Sequence, residues 1–174
     1  MLIYLSLLDT EEEKLQFRDL HDRYARLLFA AARRILGNEQ DAEDAVQEAF
    51  LATAKHFSKI SRLERHKLRS YLVTIVESKA IDIYRKKSAH PSQELLESIQ
   101  GVPVDYEGAD ALAGCLLRLP ARYRAALLLQ YHHGFSGRET ARLMGVSEPA
   151  LRKLTQRAKE RLEELCREEG LLWI

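Results

Sequence analysis

Glycine and proline are scarce in this chain, eight and four among 174 residues, and aromatic residues make up only 7%. A sandwich or barrel needs turn residues at short intervals and β-branched or aromatic residues on its strands, so those shortages turn the expectation toward helix. Cysteine is nearly absent too: Cys115 and Cys166 stand far apart among helix formers, which excludes a disulfide framework and reads as two reduced packing thiols. No apolar run approaches the roughly eighteen residues of a membrane span. The run at residues 2–8 lacks a basic flank and leads straight into Glu11, Glu12 and Glu13, so it is neither signal peptide nor span. A cytoplasmic protein is the expectation. A phosphate-binding glycine loop, a nucleophile elbow and a His-Glu-x-x-His motif are all missing, which argues against an enzyme. His132 and His133 have no cysteine or acid spaced to complete a ligand set, so they read as helix-end or surface histidines, with no metal and no cofactor expected.

Net charge is nearly absent as well, at +1, but its distribution is uneven. Residues 1–60 sum to −3, 61–90 to +5, 91–120 to −4 and 121–174 to +3. Contacts with a polyanion would come from the two basic blocks.

What the chain does have is helical periodicity. Leu15, Leu20, Tyr24, Leu27, Leu28, Ala31 and Ile35 recur at three- and four-residue spacings over residues 11–36, and Gly37 and Asn38 end that helix. The acids of residues 41–44 favour the positive end of a second helix running to about Phe57, with Ala42, Ala45, Val46, Ala49 and Phe50 inward. Residues 58–69 are polar and basic without a clear period and read as a loop. Tyr71, Leu72, Ile75, Val76, Ala80, Ile81 and Tyr84 then resume a helix. Pro91, Gly101, Pro103 and Gly108, among acids and small polar residues, mark a linker over 89–110, in which residues 94–99 have room for one helical turn. Fully extended it would reach about 75 Å. Residues 111–119, 122–133, 137–144 and 148–167 read as further helices. The expectation is an all-α protein of two small helical domains, 1–88 and 111–174, joined by a flexible linker.

Within the second domain, Ser136 and Glu139 form a capping box, Ala141 is small enough for a close helix crossing, and Gly145 supplies the positive φ of a tight turn. Val146 plugs the corner, Ser147 caps the next helix and Pro149 sits in its first turn. This is the pattern of a helix-turn-helix. On the last helix Leu151, Leu154, Ala158, Leu162 and Leu165 form the inner stripe, leaving Glu148, Pro149, Arg152, Lys153 and Gln156 outward for a major groove. Arg and Gln suit guanine and adenine edges, while Thr155, Arg157 and Lys159 toward the flanks suit phosphates.

Three segments together make the chain resemble a bacterial RNA polymerase sigma factor of the extracytoplasmic-function (ECF) type. The first is Asp41-Ala-Glu-Asp-Ala-Val-Gln-Glu-Ala-Phe50, similar to the signature of the family's second domain. The resemblance implies docking on the clamp helices of core RNA polymerase through Asp44, Gln47, Glu48 and Leu51, which fall at i, i+3, i+4 and i+7 on one stripe. The second runs from Tyr71 to Lys87 and resembles the promoter-melting and −10 helix, with Tyr71 in place of the usual Trp and Ser78 in place of Asn. It implies promoter contacts from Ser78, Lys79, Asp82, Arg85 and Lys86. Arg62, Arg65, Lys67 and Arg69 would supply cations along a displaced strand, and Tyr71 and Phe57 flat surfaces for an unstacked base. The third is Leu119-Pro-Ala-Arg-Tyr-Arg-Ala-Ala-Leu-Leu-Leu with the helix-turn-helix after it, resembling the fourth sigma domain. It implies −35 duplex reading by Ser147, Glu148, Pro149, Arg152, Lys153, Thr155, Gln156 and Arg157. The implied partners are core RNA polymerase and promoter DNA, with room for an anti-sigma factor. Rival readings are a dimeric helix-turn-helix regulator, a sigma-like decoy that docks without opening promoters, and an acidic-site nuclease centred on Asp44 and Glu48.

Overall fold

Helices build the whole of the computed structural model, which describes residues 1–89, 91–102 and 111–171, and no strand occurs among them. In chain order they are α1 (Leu2–Leu5), α2 (Glu11–Leu36), α3 (Glu39–Lys55), α4 (Phe57–Ile60), α5 (Arg65–Lys87), α6 (Gln93–Ser98), α7 (Ala111–Arg118), α8 (Ala121–Leu127), α9 (Gly137–Met144) and α10 (Glu148–Glu168). A single π-helical turn, Leu128–His132, prolongs α8. Trp173 and the linker residues 103–110 lie outside the described residues.

Side-chain caps set the boundaries. The Thr10 side chain accepts from the Glu13 N–H at 3.1 Å, and Gly37 closes α2 at φ 68°. Asn38 accepts from the Asp41 N–H at 3.0 Å and starts α3 two residues earlier than its acids suggest. The capping box at Ser136 is present in both directions, 3.1 and 2.9 Å, and Gly145 takes φ 69° between α9 and α10.

Helices α2, α3 and α5 pack side by side, and alanines at 31, 32, 42, 45 and 49 let their backbones approach. Tyr4, Phe17, Phe50 and Phe57 fill the end of this bundle, with Phe17 and Phe57 edge to face at 5.6 Å. The apolar run at the N-terminus therefore folds as α1, whose Tyr4 and Leu5 are core residues. Leu15, expected on the inner stripe of α2, is 64% exposed, because it falls on the side of the helix opposite the buried Phe17 and Tyr24. The expected loop at 58–69 is largely helical: α4 occupies its start and α5 begins at Arg65.

The largest departure concerns the linker and the separation of the domains. Residues 70–78 of α5 are buried without a break, and the side that α2 and α3 leave open is covered by α8 and α9. One apolar core runs from Tyr4 through Tyr71 and Ile75 to Leu129, Met144 and Leu154. A smaller cluster of Cys115, Leu119, Leu127, Leu165 and Cys166 closes the C-terminal end; both cysteines are free thiols. Helix α6 and residues 99–102 lie along both halves instead of spanning open solvent. The Ile99 carbonyl accepts from the Ala121 N–H at 2.9 Å, and the Val102 N–H donates to Glu77 at 3.0 Å. An extended tether would leave the apolar side of α5 in water, and that exposure is what the packing avoids.

Glu77 is the acid at the centre of this contact. Its carboxylate meets the Arg124 guanidinium at 3.1 Å, with the two side chains 2% and 3% exposed. Burial pushes the Glu77 carboxyl above the usual carboxylate range; Arg124 and the Val102 N–H oppose that shift. Replacing Glu77 by Ala, which strands a buried guanidinium, is expected to cost about 3–5 kcal/mol in urea unfolding, whereas Met at both 77 and 124 should stay within about 1.5 kcal/mol of the parent.

Candidate partner and nucleic-acid interfaces

The four residues expected to dock on a partner share one open surface. Asp44, Gln47, Glu48 and Leu51 line a groove of about 360 Å³ with Ile3 and Tyr4 of α1 and Ile83, Lys86 and Lys87 of α5. Gln47 and Glu48 are exposed and Asp44 and Leu51 half-buried, since Ala42, Ala45 and Ala49 on the opposite face of α3 take the core. Lys87 pairs with Asp41 at the groove's edge. No motif or period in residues 2–5 signals that α1 forms one wall. Acids with a single apolar anchor beside an apolar wall are fitted to a basic, amphipathic partner helix.

The residues assigned to the melted strand divide three ways. Arg62, Arg65 and Arg69 are exposed, with Lys67 half-buried, and they form a cationic edge at the start of α5. Lys79 and Lys86 turn toward α3 instead. Lys79 lines a second groove with Glu48, His56 and Glu139, and burial lowers its pKa against the pull of Glu48 and Asp82. Lys86 reaches Asp82 at 3.0 Å and the acidic groove of α3. Tyr71 and Ser78 are buried and offer no surface to a base, nor does Phe57. Tyr71 lies under Phe135, the rings stacked at 5.8 Å, with His133 edge-on at 5.6 Å. Lys59 fastens this cover by donating to the Gly134 carbonyl at 2.7 Å and standing 4.4 Å above the Phe135 ring. His133 stands at the helix end, as one of the two expected alternatives, and is buried there.

On α10 the outer face is as the periodicity predicts: Glu148, Pro149, Arg152, Lys153 and Gln156 are all exposed. Ser147 caps the helix by accepting from the Ala150 N–H at 3.2 Å, and Glu148 pairs with Arg138 at 3.3 Å. Two expected phosphate contacts are otherwise engaged. Thr155 is buried and accepts from Gln130 at 2.9 Å. Arg157 donates to Glu97 of the linker through Nε at 2.9 Å and Nη2 at 2.5 Å, a forked ion pair. Glu97 also accepts from Gln93 at 2.8 Å and Tyr123 at 2.7 Å. Burial works against its charge, but the bonds from Arg157, Gln93 and Tyr123 hold its carboxyl below the ordinary range.

The turn of the helix-turn-helix presses on α5. Arg85 donates to the Gly145 carbonyl at 3.2 Å and to Asp82 at 2.6 Å. A Cβ at Gly145 would stand 2.8 Å from an Asp82 oxygen, so glycine serves both the turn and this contact. The expected −10 residues Asp82 and Arg85 therefore lie against the −35 module itself. Glu77, Glu97, Arg122 and Arg124 escaped the sequence reading. A lone acid in the middle of an apolar helix, as Glu77 is, was the available signal.

The family model described as Sigma-70 region 2 matches residues 20–90, and the one described as Sigma-70, region 4 matches residues 109–162. The acidic helix α3 lies within the first matched region and the helix-turn-helix within the second, the arrangement of a two-region sigma protein. The ECF RNA polymerase sigma factor SigM of Mycobacterium tuberculosis is 33% identical over 156 residues, 88% of this chain and 78% of that protein. The SigM of Bacillus subtilis, also named an ECF sigma factor, is 30% identical over 131 residues, 71% of this chain and 78% of its own. The chain belongs to the ECF sigma factors of RNA polymerase. A solved structure of the sigma factor RpoE with the anti-sigma factor NepR from Bartonella quintana aligns over 87% of this chain and 97% of its own, at 23% identity and a TM-score of 0.37, too low to argue from.

The cover over Tyr71 has a pH signature. Burial pushes the His133 imidazole down to about 3, against about 6.5 in an unfolded chain. The unfolded state therefore binds the extra proton first. Stability from this group is complete above pH 6.5 and falls by up to about 1.4 kcal/mol per pH unit between 6.5 and 3. Urea midpoints measured across that range should show the fall, and His133→Phe should flatten it.

Proposed function

We propose that this chain is an alternative sigma factor that binds core RNA polymerase through the α3 groove and directs promoter-specific initiation in the cytoplasm. The exposed face of α10 reads the −35 duplex, and α5 with the cationic edge at Arg62, Arg65 and Arg69 captures the melted −10 strand. The observation that carries the reading is the open groove shared by Asp44, Gln47, Glu48 and Leu51, on the opposite side of α3 from its buried alanines. Since Tyr71 and Ser78 lie under the C-terminal half, promoter opening requires α5 to be uncovered, and docking on the polymerase precedes it in this scheme.

Purified protein added to core polymerase should start transcripts at a defined promoter from a genomic library; no transcript with active core would overturn the proposal. Capture of core without any open complex would assign the decoy role that the burial of Tyr71 and Ser78 makes physically sensible. Asp44→Ala with Glu48→Ala should weaken core capture about tenfold or more while leaving duplex binding intact. Arg152→Ala with Lys153→Ala should do the reverse, lowering −35 duplex affinity roughly 10- to 100-fold and flattening its salt dependence. Equal loss in both assays for either pair would indicate unfolding.

A further inference from the structure

A third groove, of about 360 Å³, opens where α5, the linker, α8 and α10 meet, and two arginines face it, Arg85 and Arg122. Gln93, Ser147 and Leu96 complete the part of the lining that matters here, and no carboxylate belongs to it. Arg122 is only 8% exposed, yet it makes no hydrogen bond or ion pair among the described residues. Burial and the neighbouring Arg85 both depress its pKa, against the weaker pull of Glu97 and Asp82. Those two acids are already committed, Glu97 to Arg157 and Asp82 to Arg85 and Lys86. Arg85 spends Nη2 on Asp82 and the Gly145 carbonyl, leaving Nε and Nη1 unbonded among the described residues.

Ser147 and Ala150, at the N-terminus of the 21-residue α10, also line the groove, and that end of the helix carries partial positive charge. The acid nearest that end, Glu148, is turned to Arg138 and stands outside the lining. A largely buried arginine with no acid paired to it is held at a cost, and a second guanidinium beside it raises that cost. Two planar donors and a helix N-terminus around a space of this size match a tetrahedral oxyanion.

We propose that this junction groove is a binding site for a phosphate group, held by Arg122 and Arg85 and the N-terminus of α10. Its residues come from both halves of the chain and the linker, so the site exists only while the halves are packed. Occupancy therefore favours the closed arrangement in which Tyr71 and Ser78 are covered. A free phosphate or small phosphoester and a backbone phosphate of DNA present the same chemistry, and the experiment separates them.

The test needs no polymerase, so it stands apart from the transcription assay. The Tm of the full chain is followed while inorganic phosphate replaces chloride at constant ionic strength, for the parent, Arg122→Met and Arg122→Lys. Phosphate stabilises most proteins a little by exclusion, so the difference between variants is what counts. The parent should gain about 5 °C more than Arg122→Met at saturating phosphate, with Arg122→Lys between them. Without phosphate, Arg122→Met should melt no lower than the parent, since it removes an unpaired buried cation. In parallel, an unrelated 15-base-pair duplex is titrated into each protein. A gain from phosphate confined to proteins with the arginine assigns a free phosphate; roughly tenfold weaker duplex binding by Arg122→Met with no phosphate effect assigns a backbone phosphate. Equal responses of parent and Arg122→Met to both ligands would overturn the proposal. Should Arg122→Met fail to fold, Arg85→Gln under the same comparison decides it.

Discussion

The middle of α5, residues 70–78, points side chains to every side of the helix and buries them all, and such a segment is stable only when every side is covered. From residue 70 to 78 each position is buried, and the two helices before it in the chain cover only part of that surface. The remainder is covered by α8, α9 and the π turn, so the N-terminal bundle finishes its core with the C-terminal half. The Glu77–Arg124 pair sits inside this contact and fixes its register, because neither charge tolerates burial without the other.

That packing divides the molecule by availability. The acidic groove on α3 stays in solvent, since its helix gives only its alanine face to the core. Residues expected to meet nucleic acid are partly turned toward the protein itself: Gly145 meets Asp82 and Arg85, Phe135 covers Tyr71, and Glu97 takes the fork of Arg157. The outer face of α10, with Arg152 and Lys153, remains free.

The near-zero net charge follows from the same arrangement. The acidic linker supplies Glu97 to the basic α10, and the acids of α3 and α5 engage Lys86 and Lys87. Exposed pairs of this kind add little stability, roughly 0–1 kcal/mol each, so they exchange readily for contacts with a partner. Glu97, largely buried and bonded to Gln93 and Tyr123 as well as Arg157, is the firmer tie.

Local chemistry determined much of the chain unaided. Residues 11–36 carry a helical period and a glycine stop, and the structure has a helix with those bounds. Ser136, Glu139, Gly145 and Ser147 are capping and turn residues whose hydrogen bonds close within a few positions, so their geometry was legible without a fold. That Asp44, Gln47, Glu48 and Leu51 share one face of α3 was legible for the same reason, since residues at i, i+3, i+4 and i+7 lie together whatever surrounds them. Tertiary structure alone decided what covers what. Whether Tyr71 meets a base or Phe135, whether Arg157 meets a phosphate or Glu97, and whether residues 91–102 span solvent or line a groove depend on contacts between positions about 20 to 75 apart. Side-chain period carries no information about such partners, because it fixes the direction of a residue on its own helix and leaves the neighbour to packing.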